Sequence, residues 1–153
     1  MPVDAAQTFD ACNCFAVRSA ARHITQFYDQ LLAPTGLRTT QFTILAKLQA
    51  AGPLTINALS KELVMDRTTL GRNILPLERE GLVTVVRRRA DRRSKKLHLT
   101  EAGTARLWAG AKAWAEAQAR FEAVFGVQRT SDLRALLRAV SASDLGVAGD
   151  GMP

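Results

Sequence analysis

Cysteine is nearly absent from this 153-residue chain, with only Cys12 and Cys14. Two thiols cannot build a disulfide framework, and their scarcity suits a reducing cytoplasm. No stretch approaches eighteen consecutive apolar residues, which excludes a membrane-spanning helix. The opening stretch MPVDAAQTFDAC lacks a basic n-region and an apolar h-region, so no secretory signal is expected. Glycine-rich phosphate loops, His–carboxylate clusters and nucleophile motifs are also missing, and no enzyme is expected. Cys12, Cys14, His23 and His98 fall at no usual zinc spacing, so neither metal nor cofactor is expected. What is present is ordinary for a soluble domain: 47% hydrophobic and 23% charged residues. A chain of this length buries enough surface to fold without staples.

Acidic residues are too few to balance the basic ones, 14 against 21, giving a net charge of +7. Six of those charges sit in one segment. Arg87 to Lys96 reads RRRADRRSKK, with Arg87, Arg88, Arg89, Arg92, Arg93, Lys95 and Lys96 against Asp91. Such a cluster is the footprint of a phosphate-binding surface, or else a solvated loop. Its flanks bear on the choice.

The apolar spacing of Phe15, Ala20, Ile24, Phe27, Tyr28, Leu31 and Leu32 predicts one amphipathic helix from Thr8 to Leu32, stopped by Pro34 and Gly36. A second helix is expected from about Thr39 to Ala51, ending at Gly52-Pro53. Thr55 caps or precedes a short helix from Ile56 to Leu63. Asp66 is a good N-cap for a helix from Arg67 to about Glu80, with the stripe Leu70, Ile74 and Leu77 and a C′ glycine at Gly81. The period then changes to two: Leu82 to Val86 and Leu97 to Leu99 read as a hairpin with the basic run at its tip. Thr100 caps a long alanine-rich helix reaching about Phe125, and a last helix runs from about Thr130 to Ser141.

A short helix, a tight turn, a capped second helix and a hairpin make a winged helix-turn-helix. An α-helix fits the DNA major groove and offers its N-terminal residues to base edges and phosphates. Off the apolar stripe stand Arg67, Thr68, Thr69, Arg72 and Asn73, all donors or acceptors, with Gly71 leaving room for a partner's backbone. Pro76 removes one helical hydrogen bond and should bend the half beyond it. The hairpin tip, with Arg89, Asp91, Arg92, Arg93 and Lys95, can enter a neighbouring minor groove. A non-specific nucleic-acid binder relying on the basic run alone is the rival reading; it predicts equal affinity for any duplex.

The segments DRTTLGRNILPLEREGLV and RRADRRSKKLHLTEAG resemble the core of the MarR (multiple antibiotic resistance regulator) family. The order of helices extends that likeness over residues 8 to 143. The resemblance implies a mostly α fold with a β-hairpin wing, and a homodimer formed by the first and last helices. It also implies a palindromic double-stranded operator and repression relieved by a small molecule or an oxidant. Arg92 would enter the minor groove while Asp91 holds a neighbouring arginine. In these terms residues 8–34 and 104–143 are dimerisation helices, 37–103 the winged helix-turn-helix and 144–153 a disordered tail of one cytoplasmic domain. The first and last helices independently support a dimer, since their apolar faces are wider than a lone winged domain can cover. Twofold symmetry would set the recognition helices roughly 34 Å apart.

Two kinds of signal fit. Relatives bind phenolic or other aromatic carboxylates beside the dimer helices; Arg18, Arg22 and His23 could pair with a carboxylate, and Trp108 and Trp114 could line an apolar pocket. Alternatively, Cys12 and Cys14 lie near the start of the first helix, where the dipole favours a thiolate. Two residues apart on a helix, they would point to nearly opposite sides. Cys14-Phe15-Ala16 resembles the oxidisable site of the organic-hydroperoxide-sensing branch, with Tyr28 at one tyrosine position of that branch and Thr39 near the other. A thiol peroxidase using Cys14 is the one enzyme form these residues allow.

Overall fold

The computed structural model describes residues 9–87 and 95–146. They form α1 (Asn13–Leu32), a 3-10 turn (Ala33–Thr35), α2 (Thr39–Ala51), β1 (Leu54–Thr55), α3 (Ile56–Glu62), α4 (Arg67–Arg79), β2 (Val83–Arg87), β3 (Lys95–Leu99), α5 (Glu101–Phe125) and α6 (Val127–Ala142). The architecture is the expected one, mostly helical with a small antiparallel sheet. Residues up to Ala117 make one compact unit and those from Gln118 another.

In the first unit, punctuation sets the helix ends. Gly36 in the left-handed region closes the turn after α1. The α2 N-terminus is capped from a distance: the Asp29 carboxylate on α1 accepts both the Thr39 backbone N–H and its hydroxyl at 2.7 Å. The C-terminus of α4 follows the two-bond Schellman pattern. Gly81 (φ +72°) donates to the Glu78 carbonyl at 3.0 Å, and Leu82 to Leu77 at 2.9 Å. The core gathers Ile44, Leu45 and Leu48 of α2, Leu59 of α3, Leu70 and Leu77 of α4, and Leu97 of β3. Each such side chain contributes about 1.5–3 kcal/mol by leaving water.

Three boundaries differ from expectation. The first helix is not continuous from Thr8, which lies outside the described residues. A helical turn at Phe9 and Asp10 is interrupted by Cys12, whose extended backbone (φ −77°, ψ 111°) makes it the N-cap of α1, with its Sγ accepting the Phe15 N–H at 3.4 Å. The two cysteines therefore do not share one run of helix. The sheet has three strands in the order β1-β3-β2, because Leu54 and Thr55 pair with Leu97 and Lys96. Thr55 is thus both an edge-strand residue and the cap of α3, accepting from Ala58 N–H at 3.1 Å. Helix α6 begins at Val127, three residues before the expected Thr130, because Gly126 (φ +103°) turns the chain there. Helix α4 continues through Pro76 to Arg79.

The second unit holds the end of α5 and all of α6. Phe121 and Phe125 stack at 5.5 Å, and the Arg129 guanidinium lies 4.2 Å above the Phe125 ring. Thr130 is buried, donating its hydroxyl to the Gly126 carbonyl at 2.7 Å. Val124, Val127, Leu136, Leu137 and Val140 remain exposed. Val147 to Pro153, most of the expected disordered tail, lie outside the described residues. No helix among the described residues is long and apolar enough to cross a membrane.

One junction ties the first unit together. The Thr100 N–H donates to the Leu82 carbonyl at 3.1 Å, its hydroxyl donates to the Gly81 carbonyl at 2.6 Å, and that same oxygen accepts the Gly103 N–H at 2.9 Å. A Cβ on Gly103 would overlap the Leu82 carbonyl oxygen and crowd Leu99 Cδ1 at 2.7 Å. Gly103→Ala is therefore expected to cost about 3 kcal/mol or more of unfolding free energy in urea titration, despite alanine's better helix propensity. A neutral or stabilising result would show that the junction yields.

Candidate nucleic-acid interface

The turn between α3 and α4 repeats the Schellman pattern without a glycine. Val64 donates to the Lys61 carbonyl at 3.2 Å and Met65 to Ser60 at 2.9 Å, with Val64 at φ +51°. A β-branched residue there is strained by about 1–2 kcal/mol. The turn delivers Asp66 to the N-terminus of α4. Its carboxylate accepts the Thr69 hydroxyl at 2.6 Å and the Thr69 N–H at 2.8 Å. The hydroxyl bond above all, then the backbone N–H, holds the Asp66 carboxyl below the ordinary carboxylate range.

Burial of Leu70, Ile74 and Leu77 fixes the rotation of α4. Arg67, Thr68, Thr69 and Arg72 are exposed and Asn73 half-buried. These polar residues are not equivalent. Thr69 donates its hydroxyl to Asp66, and Asn73 donates an amide N–H to the Thr69 carbonyl at 2.9 Å. Thr69 thus faces solvent as an acceptor, and Asn73 keeps its oxygen and one N–H. A Cβ on Gly71 would meet nothing within 4 Å. Leu75, which sequence reasoning passed over, is 50% exposed on the same helix. The helix is pinned at its far end too, by Gly81, Thr100 and an ion pair from Arg106 on α5 to Glu80 at 3.3 Å.

In the hairpin, Val83, Val85 and Arg87 pair with Leu99, Leu97 and Lys95. Lys95 is exposed. Arg89, Asp91, Arg92 and Arg93 lie outside the described residues. The candidate signal residues are spread over two helices. Cys14, Arg18, Arg22 and His23 are exposed on α1, while Tyr28 is buried and edge-on to Phe27 at 5.7 Å. On α5, Trp108 is 62% exposed, and Trp114 stacks on Phe42 with ring centres 6.3 Å apart.

A capped, outward-facing helix after a tight turn, with a paired hairpin behind it, defines a winged helix-turn-helix DNA-binding protein. The model of the MarR family matches residues 37–95. MosR, a transcriptional regulator of M. tuberculosis, is 35% identical to this chain with a TM-score of 0.75; the match covers 88% of this chain and 99% of MosR. The same regulator has been solved in complex with DNA. The transcriptional repressor CouR, bound to a 23-mer DNA duplex, is 25% identical over 86% of this chain and 94% of its own, at a TM-score of 0.77. A second CouR structure, bound to p-coumaroyl-CoA, shares the fold at 21% identity and a TM-score of 0.79. An organic hydroperoxide resistance transcriptional regulator of Bacillus subtilis is 31% identical over 90 residues, 59% of this chain. That match spans 61% of the Bacillus protein's own length. This chain belongs to the MarR family of transcriptional regulators.

Asp66 gives the interface a pH signature. Because its carboxyl is held low, its capping contribution is complete above the ordinary carboxylate range near ~3.9 and is lost as pH falls through its depressed value. Asp66→Ala should unfold at lower urea than the wild type at pH 7, and the gap should narrow as pH drops below about 4. Asp66→Ser, which keeps a capping oxygen, should recover most of the loss without that pH dependence. An unchanged gap at low pH would remove the charged cap from the picture.

Proposed function

We propose that this regulator is a homodimeric repressor of a palindromic operator. The observation that carries the reading is the exposed polar face of α4, held at both ends by bonds that leave Arg67, Thr68 and Arg72 outward. In this reading Arg67 and Arg72 reach phosphates or guanine edges, Thr68 donates or accepts at a base edge, and Thr69 and Asn73 contribute acceptors. Lys95 meets a phosphate beside the wing. Arg89, Arg92 and Arg93 form the tip that enters the minor groove, with Asp91 orienting one of them. Residues 8–34 and 104–143 form the dimer, a reading supported by the exposed Phe15 and Val17 on α1 and Leu136, Leu137 and Val140 on α6.

For the signal, oxidation of Cys14 is better supported than an aromatic ligand. Cys14 is exposed in the first turn of α1, and the organic hydroperoxide regulator of Bacillus is 31% identical over the 90 residues it matches. The thiolate would attack one oxygen of the hydroperoxide; the O–O bond breaks, the sulfur becomes a sulfenic acid and the other oxygen leaves, protonated, as the alcohol. The ligand reading places a carboxylate on Arg18, Arg22 or His23 beside Trp108. Its support is the CouR complex, a likeness of fold.

Fluorescence anisotropy on DNA from upstream of its own gene, titrated with an organic hydroperoxide, separates the two. Release that reverses with dithiothreitol and disappears in Cys14→Ser is expected. Binding indifferent to the oxidant but released by an aromatic acid would replace the thiol with the ligand. For the DNA face, Gly71→Ala should stabilise the fold by up to about 1 kcal/mol yet weaken operator binding, since the added methyl stands where DNA would approach. Gain in both would move the DNA off this face.

A further inference from the structure

Leu75 stands out on α4. Thr68, Gly71, Arg72 and Leu75 fall at i, i+3, i+4 and i+7, which puts them on one side of the helix, away from the buried stripe of Leu70, Ile74 and Leu77. A leucine exposed alone on a surface is ordinary. This one shares the face that the proposed function sets against DNA, one helical turn beyond a glycine with open space above it. Among the described residues, Gly71, Ile74, Leu75 and Val85 line an open concavity of about 620 Å³, with Glu78 and Lys95 as its charged members. A wall of that kind suits a small neutral apolar group better than a phosphate. The apolar group that DNA offers in the major groove is the 5-methyl of thymine, and only the A·T and T·A pairs carry it.

We infer that Leu75 is a specificity-determining residue that packs on a thymine methyl, with the bare backbone at Gly71 letting the base edge approach. The inference rests on the DNA-binding reading above. Arg72, one turn before Leu75 on the same side, then reads or anchors the adjoining position, so that an apolar and a cationic contact alternate along the groove. Removing one methyl should cost about fourfold in affinity, the equivalent of one buried methylene.

The test starts from the duplex that the full-length protein selects out of a random pool. Each thymine is replaced in turn by deoxyuridine, which deletes only the methyl, and dissociation constants are measured at fixed salt. The wild type should lose about fourfold at one thymine per half-site. Leu75→Ala should bind the thymine duplex more weakly and show no such loss at that position. Leu75→Met, which keeps an apolar tip, should restore the sensitivity. Equal deoxyuridine effects in the wild type and Leu75→Ala would overturn the role of Leu75 while leaving sequence-selective binding intact. Failure to enrich any sequence would overturn the DNA reading itself, and this inference with it.

Discussion

Thr100 is where α4, the hairpin strands and the long helix α5 are joined, and the geometry proposed to meet DNA depends on that junction. Its backbone N–H and hydroxyl satisfy the Leu82 and Gly81 carbonyls just past the end of α4, while its oxygen caps α5 through Gly103. The absence of a side chain at Gly103 lets α5 start directly against Leu82. Because Val83 pairs with Leu99, the same few residues close the base of the hairpin. A shift of α5 at this end therefore carries the end of α4 and the wing with it.

The opposite end of α4 is fixed by different chemistry. Strain at Val64 is accepted so that Asp66 can cap the helix, and the cap in turn uses the hydroxyl of Thr69. The cost of that arrangement is chemical versatility: Thr69 spends its only side-chain donor on the cap and keeps an acceptor, while Asn73 spends one N–H and keeps the other with its oxygen. In the proposed reading, donation to DNA falls to Arg67, Thr68, Arg72 and the remaining N–H of Asn73. A helix pinned at both ends has little backbone entropy left to lose on binding, although the exposed Arg67 and Arg72 side chains still have rotamers to fix.

Much of this was legible in the sequence because local chemistry sets it. Gly52-Pro53, Asp66, Gly81 and Thr100 each end or begin an element where their own backbone preferences require it. The fold class and the outward polar face of α4 followed from those signs and from the Leu70–Ile74–Leu77 stripe. What escaped depends on distant partners or on residues that break the usual cap and turn preferences. Leu54 and Thr55 become a strand only because β3 lies beside them. Cys12 caps α1 with a sulfur, outside the usual capping residues, so the helix start was placed too early. The glycine signal that normally marks a left-handed turn is missing at Val64. Leu75 lies off the Leu70–Ile74–Leu77 stripe, and its significance shows only once the rotation of α4 places it in solvent.

The central claim is that α4 reads sequence, and it is tested most directly by one ratio. Affinity for the duplex selected by the protein is compared with affinity for a scrambled duplex of equal length at the same salt. A preference of about a thousandfold or more is expected, as for other specific DNA-binding proteins. Equal affinities, with only a steep salt dependence shared by both duplexes, would mean that the basic hairpin binds DNA without α4 reading it.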